Sequence, residues 1–227
     1  MSTPGLEKKI TEAKTIIKKA YGLYEPREIT LTFTGGKDST VLLHLIRNVF
    51  DGKIPSPVMF NDSTMEFEEI YRFINRIKKR WKLTLRTVKH SRESLKKFST
   101  LKNDSDKKKL SWLMKIEAMN NYISKYHPKA FIAGIRLDEH EARANEKFFS
   151  KRKNHTRVHP LLNFTEKDIW AYIRKYKVPY VSLYDKGYRS LGEKNFTKKS
   201  VPGKGERSGR ENSKEQTMEK LRNMGYW

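Results

Sequence analysis

Apolar residues recur at helical spacing near the start of the chain: Leu6, Ile10, Ala13, Ile16, Ile17 and Ala20. Residues three and four apart share one face of a helix, so this pattern predicts an amphipathic helix over 6–21, ended before Pro26. Ile29-Thr30-Leu31-Thr32-Phe33 is β-branched and aromatic and predicts a strand. After Gly35-Gly36, the residues Val41, Leu42, Leu45, Ile46 and Val49 return to helical spacing. Beyond them the pattern predicts a strand at 58–60, a helix at 66–81, a strand at 83–88 and a helix at 112–126. Residues 91–111 are polar and Lys-rich and read as a loop or short helices. Strands follow at 130–134 and 157–161, then a helix to Tyr176 with Thr165 as its N-cap. From Gly187 the chain is Gly-, Lys- and Ser-rich, which predicts a tail ordered by the body or by a ligand, with 221–227 docking as a short helix.

Strands alternating with helices imply parallel βαβ units, so the expected fold is α/β: a three-layer sandwich around a mostly parallel, twisted sheet. In such sheets ligands sit beyond the carboxyl ends of the strands, where the loops after Phe33, Phe60, Gly134 and Leu161 converge. The expected division is a nucleotide-binding domain over 1–186 and a basic tail over 187–227 that closes over the site.

Composition sharpens the chemistry. The 227 residues include no Cys, which excludes disulfides, zinc–thiolate sites, cysteine-held iron–sulfur clusters and a thiol nucleophile. No Cys or acidic residue stands at ligand spacing from His155 or His159, so neither is expected to bind metal. Lys plus Arg is 49 against 26 Asp plus Glu, a net charge of +23. The excess is local: +12 over 72–109, +5 over 147–157 and +6 over 186–227. Charge of this kind suits phosphates, nucleotides or nucleic acid, or is simply a solvated face. No run of about 18 apolar residues exists, and Met1-Ser2-Thr3-Pro4-Gly5 lacks a secretory core, so a cytoplasmic protein without membrane contact is expected.

Thr34-Gly35-Gly36-Lys37-Asp38-Ser39-Thr40 joins the first strand to a helix. Glycines let the backbone approach a phosphate, N–H groups at the helix start point at the anion, Lys37 adds charge, and Ser39 and Thr40 add hydroxyl donors. It is not a Walker A loop, because Leu31 stands where that pattern needs its first Gly and Asp38 follows the Lys. The stretch resembles the PP-loop of ATP pyrophosphatases, Ser-Gly-Gly-x-Asp-Ser, with Thr34 in place of Ser. Asn61-Asp62-Ser63 with Glu66-Phe67-Glu68-Glu69 resembles a second block of the phosphoadenylylsulfate reductases and the small subunit of ATP-dependent sulfate adenylyltransferases. Gly134-Ile135-Arg136-Leu137-Asp138-Glu139 with Arg143-Ala144 resembles a third. Arg157-Val158-His159-Pro160-Leu161, Asp168-Ile169-Trp170, Tyr188-Arg189-Ser190-Leu191-Gly192 and Glu206-Arg207-Ser208-Gly209-Arg210 complete the likeness, which runs from about residue 10 to 227.

That resemblance implies an adenine nucleotide alpha-hydrolase-like fold and chemistry on ATP with Mg²⁺. Lys37, Asp38, Arg136 and Arg143 would be catalytic. Thr34, Gly35, Gly36, Ser39, Thr40, Asp62 and Gly134 would bind the nucleotide, and Arg189, Arg207 and Arg210 the acceptor anion. Asp38 would orient the loop or hold Mg²⁺. The reductases use cysteine, often just after the Leu191-Gly192 position; here Glu193-Lys194-Asn195-Phe196 follows. Reductive release of sulfite needs a thiolate, so the reading is an adenylyltransferase that makes adenylylsulfate and pyrophosphate from ATP and sulfate. Such enzymes work with a separate GTPase subunit; the partner expected is that subunit or a second copy. Three alternatives remain: an FMN adenylyltransferase, a tRNA-modifying adenylase served by the basic stretches, and a nucleotide-binding protein without chemistry. Bland readings stand beside the residue roles. Asp62 also fits a helix cap, Arg136 and Arg143 fit ion pairs with Glu139 or Glu146, and Trp170 and Tyr172 fit core packing.

Overall fold

The computed structural model describes residues 4–210, so the helix expected at 221–227 lies outside the described residues. Six strands form one sheet: β1 (Ile29–Thr32), β2 (Val58–Asp62), β3 (Leu85–Lys89), β4 (Ala130–Ile132), β5 (Phe149–Lys151) and β6 (Thr156–Val158). Their order is β3-β2-β1-β4-β6-β5. All neighbours are parallel except β5 and β6, which pair as a hairpin. The helices are α1 (Pro4–Leu23), α2 (Lys37–Val49), α3 (Glu68–Arg80), α4 (Arg92–Thr100), α5 (Asp104–Tyr126) and α6 (Glu166–Tyr176).

Strand periodicity divides the two faces. Ile29, Leu31, Phe33, Val58, Phe60, Ala130 and Ile132 enter the larger core with residues of α1, α2, α3 and α6. The intervening residues face α5, where Met59 and Phe131 pack on Met119 and Tyr122. Thr30 is a polar residue on that second face, and its hydroxyl lies 3.0 Å from that of Tyr122. This is the expected three-layer α/β sandwich.

Two local differences have physical causes. Residues 91–111 form α4 and the first turns of α5. Ser91 caps α4 by accepting from the Ser94 N–H, Asn103 caps α5 by accepting from the Ser105 N–H, and Asp104 and Asp106 favour the positive end of α5. Lysine is a good helix former, so caps decide where loss of apolar periodicity suggested a loop. The strand expected at 157–161 covers Thr156–Val158, and its partner β5 lay hidden in a short, charged stretch.

The expected capping role of Thr165 is present: it accepts from the Asp168 N–H, and the Asp168 carboxylate accepts from the Thr165 N–H. Tyr172 is buried, as in the core reading, and its hydroxyl lies 2.8 Å from Nδ1 of His44. The His44 ring is ringed by Trp81, Tyr172 and Tyr176. Burial, with the charges of Arg47 and Lys14, pushes its pKa down from 6.5 to about 4. Between those values the unfolded chain binds a proton that the folded chain refuses, so stability falls as pH drops from 6.5 towards 4. We expect His44→Gln to flatten the dependence of urea-unfolding free energy on pH over that window. An unchanged slope would contradict this assignment.

Candidate functional site

The sheet reverses its direction of growth at β1. The chain builds β1, β2 and β3 to one side, then returns to lay β4 on the other. Loops leaving β1 and β4 therefore diverge and leave a cleft at their carboxyl ends. A cavity of about 290 Å³ lies there, lined by Thr34, Gly36, Lys37, Asp38 and Ser39 from one loop and Gly134, Glu139 and Arg143 from the other.

The first loop is shaped by its small and hydroxylic residues. Gly35 has φ 74°, the left-handed region, and a Cβ there would meet Ile70 and Ile74 at 3.1 and 3.2 Å. The Thr34 hydroxyl accepts from the Gly36 N–H, the role a Ser would fill. Ser39 and Thr40 both donate to the Gly36 carbonyl, at 3.0 and 2.8 Å. Thr40 is fully buried and braces the loop, whereas Ser39 reaches the cavity. Gly134 lets β4 pass close: a Cβ would lie 3.0 Å from the Asp38 carbonyl oxygen.

Two buried cations hold the centre. Lys37 is 1% exposed and Arg136 0%. The Lys37 ammonium bonds Asp38 at 3.1 Å, the Arg189 carbonyl at 3.1 Å, and Glu206. Arg136 donates to Asp138 at 2.9 Å, and to Asp38 and Glu206. Burial opposes the Lys37 charge, but Asp38, Tyr184 and Glu206 outweigh it and hold its pKa above the usual lysine range. Arg136 is raised likewise against the same opposition, with Asp38 and Glu206 as the main causes. Burial pushes the Glu206 carboxyl up, against the pull of Lys37 and Arg136. Beside this group Glu139 accepts from Arg143 and, at 2.7 Å, from Arg207. Burial works against the Glu139 charge, yet Arg143, Arg207 and Arg136 hold its pKa well below the usual carboxylate range.

Residues singled out from the sequence thus converge in large part. Arg143 does pair with Glu139, while Arg136 pairs with Asp38, Asp138 and Glu206. Arg210 lines the cavity and donates to the Leu191 carbonyl. The Arg189 side chain turns to Glu166 and the Lys204 carbonyl, and it is the Arg189 backbone that reaches the site. Asp62 lies at the end of β2, where its carboxylate accepts from the Thr64 N–H and Tyr71 hydroxyl, both at 2.8 Å; it does not cap α3, whose N-cap is Phe67. His159 is buried beside Glu146, and Trp170 packs on Tyr180 and Tyr184, so both are structural.

Tyr184, Trp112 and Lys115 also line the cavity and were not expected there. The Tyr184 hydroxyl accepts from the Lys37 N–H at 2.9 Å, so it covers the first turn of α2. Trp112 and Lys115 carried no signal, because a lone Trp and a Lys in a Lys-rich helix look like packing and solvated charge. Asn61 Oδ1 and Trp112 Nε1 are buried without a hydrogen-bond partner, an acceptor and a donor at the cavity wall. Both Asp38 oxygens are paired with Arg136 and Lys37, and no cluster of three His, Asp or Glu side chains that could hold a metal exists among the described residues, so any Mg²⁺ here would depend on phosphate oxygens of the nucleotide.

A cleft at the switch point of a parallel sheet, with a glycine loop opening a helix and two buried cations, defines a nucleotide-site α/β protein of the PP-loop class. The phosphoadenosine phosphosulfate reductase domain model matches residues 28–199. The chain belongs to that family. It is 32% identical over 222 residues to sulfate adenylyltransferase subunit 2 of Pseudomonas paraeruginosa, covering 83% of this chain and 72% of the other. It is 30% identical over 211 residues to adenosine 5'-phosphosulfate reductase of Halalkalibacterium halodurans, covering 90% and 88%. The solved FMN adenylyltransferase of Candida glabrata, in complex with FAD and inorganic pyrophosphate, shares the fold at a TM-score of 0.68, with 23% identity over 88% of this chain and 69% of that one. No helix among the described residues is long and apolar enough to cross a membrane.

The close approach at Gly134 is testable. In Gly134→Ala the new methyl meets backbone, which cannot swing aside as a side chain would. We expect a loss of about 1–3 kcal/mol in urea unfolding, typical of overpacking, together with weakened ATP binding by calorimetry. A variant as stable as the parent would show that the two loops are not held in contact.

Proposed function

We propose that this chain transfers the adenylyl group of ATP to a small oxyanion, with sulfate as the acceptor and adenylylsulfate and pyrophosphate as products. The observation that carries the reading is the intact glycine loop with buried Lys37 and Arg136, in a chain with no cysteine. Likeness to the sulfate adenylyltransferase subunit 2 of Pseudomonas supports sulfate as the acceptor and a partner subunit for this chain.

The family also contains reductases, and the Halalkalibacterium relative is one. Reduction of a sulfonucleotide needs a thiolate, and this sequence supplies none. Where the resemblance places cysteine after Leu191-Gly192, Glu193 is 1% exposed; it accepts from the Ser111 hydroxyl at 3.0 Å and pairs with Lys115 at 2.8 Å. That position is committed to binding the tail to α5.

In the proposed step an oxygen of the acceptor attacks the α-phosphorus. The new O–P bond forms as the bond to the β-phosphate oxygen breaks, and pyrophosphate leaves with that electron pair. The work of the protein is positioning and charge compensation. Lys37, Arg136 and the first N–H groups of α2 receive the pyrophosphate charge. Asp38 fixes the two cations relative to each other. Arg143, Arg207 and Arg210 face the same cavity and receive the acceptor anion.

The test is pyrophosphate release from Mg-ATP, with inorganic pyrophosphatase present to draw the reaction forward and sulfate, FMN or tRNA as acceptor. We expect release with sulfate, and a fall of about 10²–10³-fold in Lys37→Ala, the usual effect of removing one charge-stabilising donor. Release with FMN or tRNA alone would move the acceptor to that class. No release with any acceptor, and no difference between Lys37→Ala and the parent, would overturn the reading in favour of a binding protein without chemistry.

A further inference from the structure

Four cations at the site are paired with carboxylates of the chain itself. Arg143 and Arg207 share Glu139, while Lys37 and Arg136 share Asp38 and Glu206, and Arg136 also takes Asp138. Within this cluster four positive charges meet four negative ones, which weakens its attraction for a triphosphate; Lys115 and Arg210 line the cavity outside the cluster. Asp38, Asp138 and Glu139 stand on the loops after β1 and β4. Glu206 is different, because it arrives on the tail.

Its two oxygens are divided between the cations, Oε1 to Lys37 and Oε2 to Arg136. Bridging two cations with two oxygens is the contact a phosphate group makes. The Glu206 side chain is only 9% exposed, yet the residues that deliver it, Val201 to Gly205, are exposed. Within the tail the Lys198 N–H donates to the Gly209 carbonyl at 2.8 Å, the Val201 N–H to the Ser208 hydroxyl at 3.0 Å, and the Ser200 hydroxyl to the Glu206 carbonyl at 3.3 Å; beyond Thr197 the ion pairs of Glu206 and Arg207 tie it to the body. No residue of 197–210 belongs to the apolar core, so what holds this segment to the body is polar, and an anion that takes over the partners of Glu206 can release it. With the tail in place the cavity is about 290 Å³, at the low end of the roughly 300–1,000 Å³ usual for small-molecule sites.

We infer that Glu206 is a positioning residue that occupies the phosphate subsite of the empty enzyme, holding Lys37 and Arg136 apart from water until pyrophosphate oxygens replace it. This rests on the adenylyl-transfer reading above. When the ligand enters, the carboxylate withdraws with the tail. When pyrophosphate is the product, the returning carboxylate competes for the same two cations and drives its release.

The probe is inorganic pyrophosphate, bound to the full chain and followed by titration calorimetry. Glu206→Gln keeps the size and removes the charge, and we expect it to bind pyrophosphate at least tenfold more tightly than the parent. Glu141→Gln, an exposed site on the loop after β4, makes the same change in net charge and is expected to leave the affinity alone. Glu206→Asp, with a shorter reach, is expected to fall between parent and Glu206→Gln. In turnover, Glu206→Gln should lower KM for ATP and lower kcat, because product leaves more slowly; a merely structural glutamate would not separate the two. If Lys37→Ala abolishes pyrophosphate binding while Glu206→Gln binds no tighter than the parent, the competition is wrong and the phosphate site stands. If neither the parent nor any variant binds pyrophosphate, both readings fall.

Discussion

A lysine and an arginine placed beyond the reach of water are the constraint around which this molecule is built. An isolated buried charge is too costly to keep, so each must be surrounded by partners of opposite sign. Lys37 and Arg136 meet that demand by sharing Asp38 and Glu206. The four residues come from three separated parts of the chain. Their pairing therefore ties the first strand–helix turn, the loop after β4 and the tail into one unit. Such a cluster stabilises little beyond what its desolvation costs; its value lies in specifying one arrangement and holding two cations ready for an anion.

The sheet supplies the location. Because β4 is laid on the opposite side of β1 from β2, the peptide segments leaving β1 and β4 part from one another, and only there can side chains from both meet over open space. Small residues make the convergence tight. Gly35 takes a backbone conformation that a Cβ would crowd, and Gly134 lets one loop rest on the carbonyl of the other. The hydroxyls of Thr34, Ser39 and Thr40 are spent largely on the Gly36 backbone, so the loop is preshaped. Rigid walls on the body then make the tail the part whose position can change.

Much of this was legible in the sequence, and the exceptions are instructive. The central strands and the turn after β1 are signalled by short-range pattern: β-branched runs, a glycine pair and a following amphipathic helix. Lys37 and Asp38 could be singled out because they lie in the turn after β1, and Arg136 and Arg143 because the block that carries them resembles one of a known family. The role of Glu206 was not legible, since a glutamate in a Gly- and Lys-rich tail reads as a solvated charge. Only the folded chain brings it to Lys37, 169 residues away. Asp62 shows another case: local spacing suits either a ligand contact or a cap, whereas its carboxylate closes a turn at Thr64 and takes the Tyr71 hydroxyl nine residues on.

The net charge of +23 is a poor guide to where the chemistry happens. Most of it sits on α3, β3, α4 and the start of α5, where Arg72, Arg76, Lys78, Lys79, Arg80, Lys96 and Lys97 are exposed. The cations at the cavity are few, and Lys37, Arg136, Arg143 and Arg207 share carboxylates of the chain. Exposed charge acts over about one Debye length, roughly 8–10 Å at physiological salt, and can raise the encounter rate of an anion without deciding which anion is held. A buried cation with a displaceable carboxylate acts at contact distance in a weakly screened environment. In the proposed reading, selection therefore falls to the buried cations, with Lys37 and Arg136 taking the phosphates and Arg143 and Arg207 the acceptor, and the basic surface contributes to arrival.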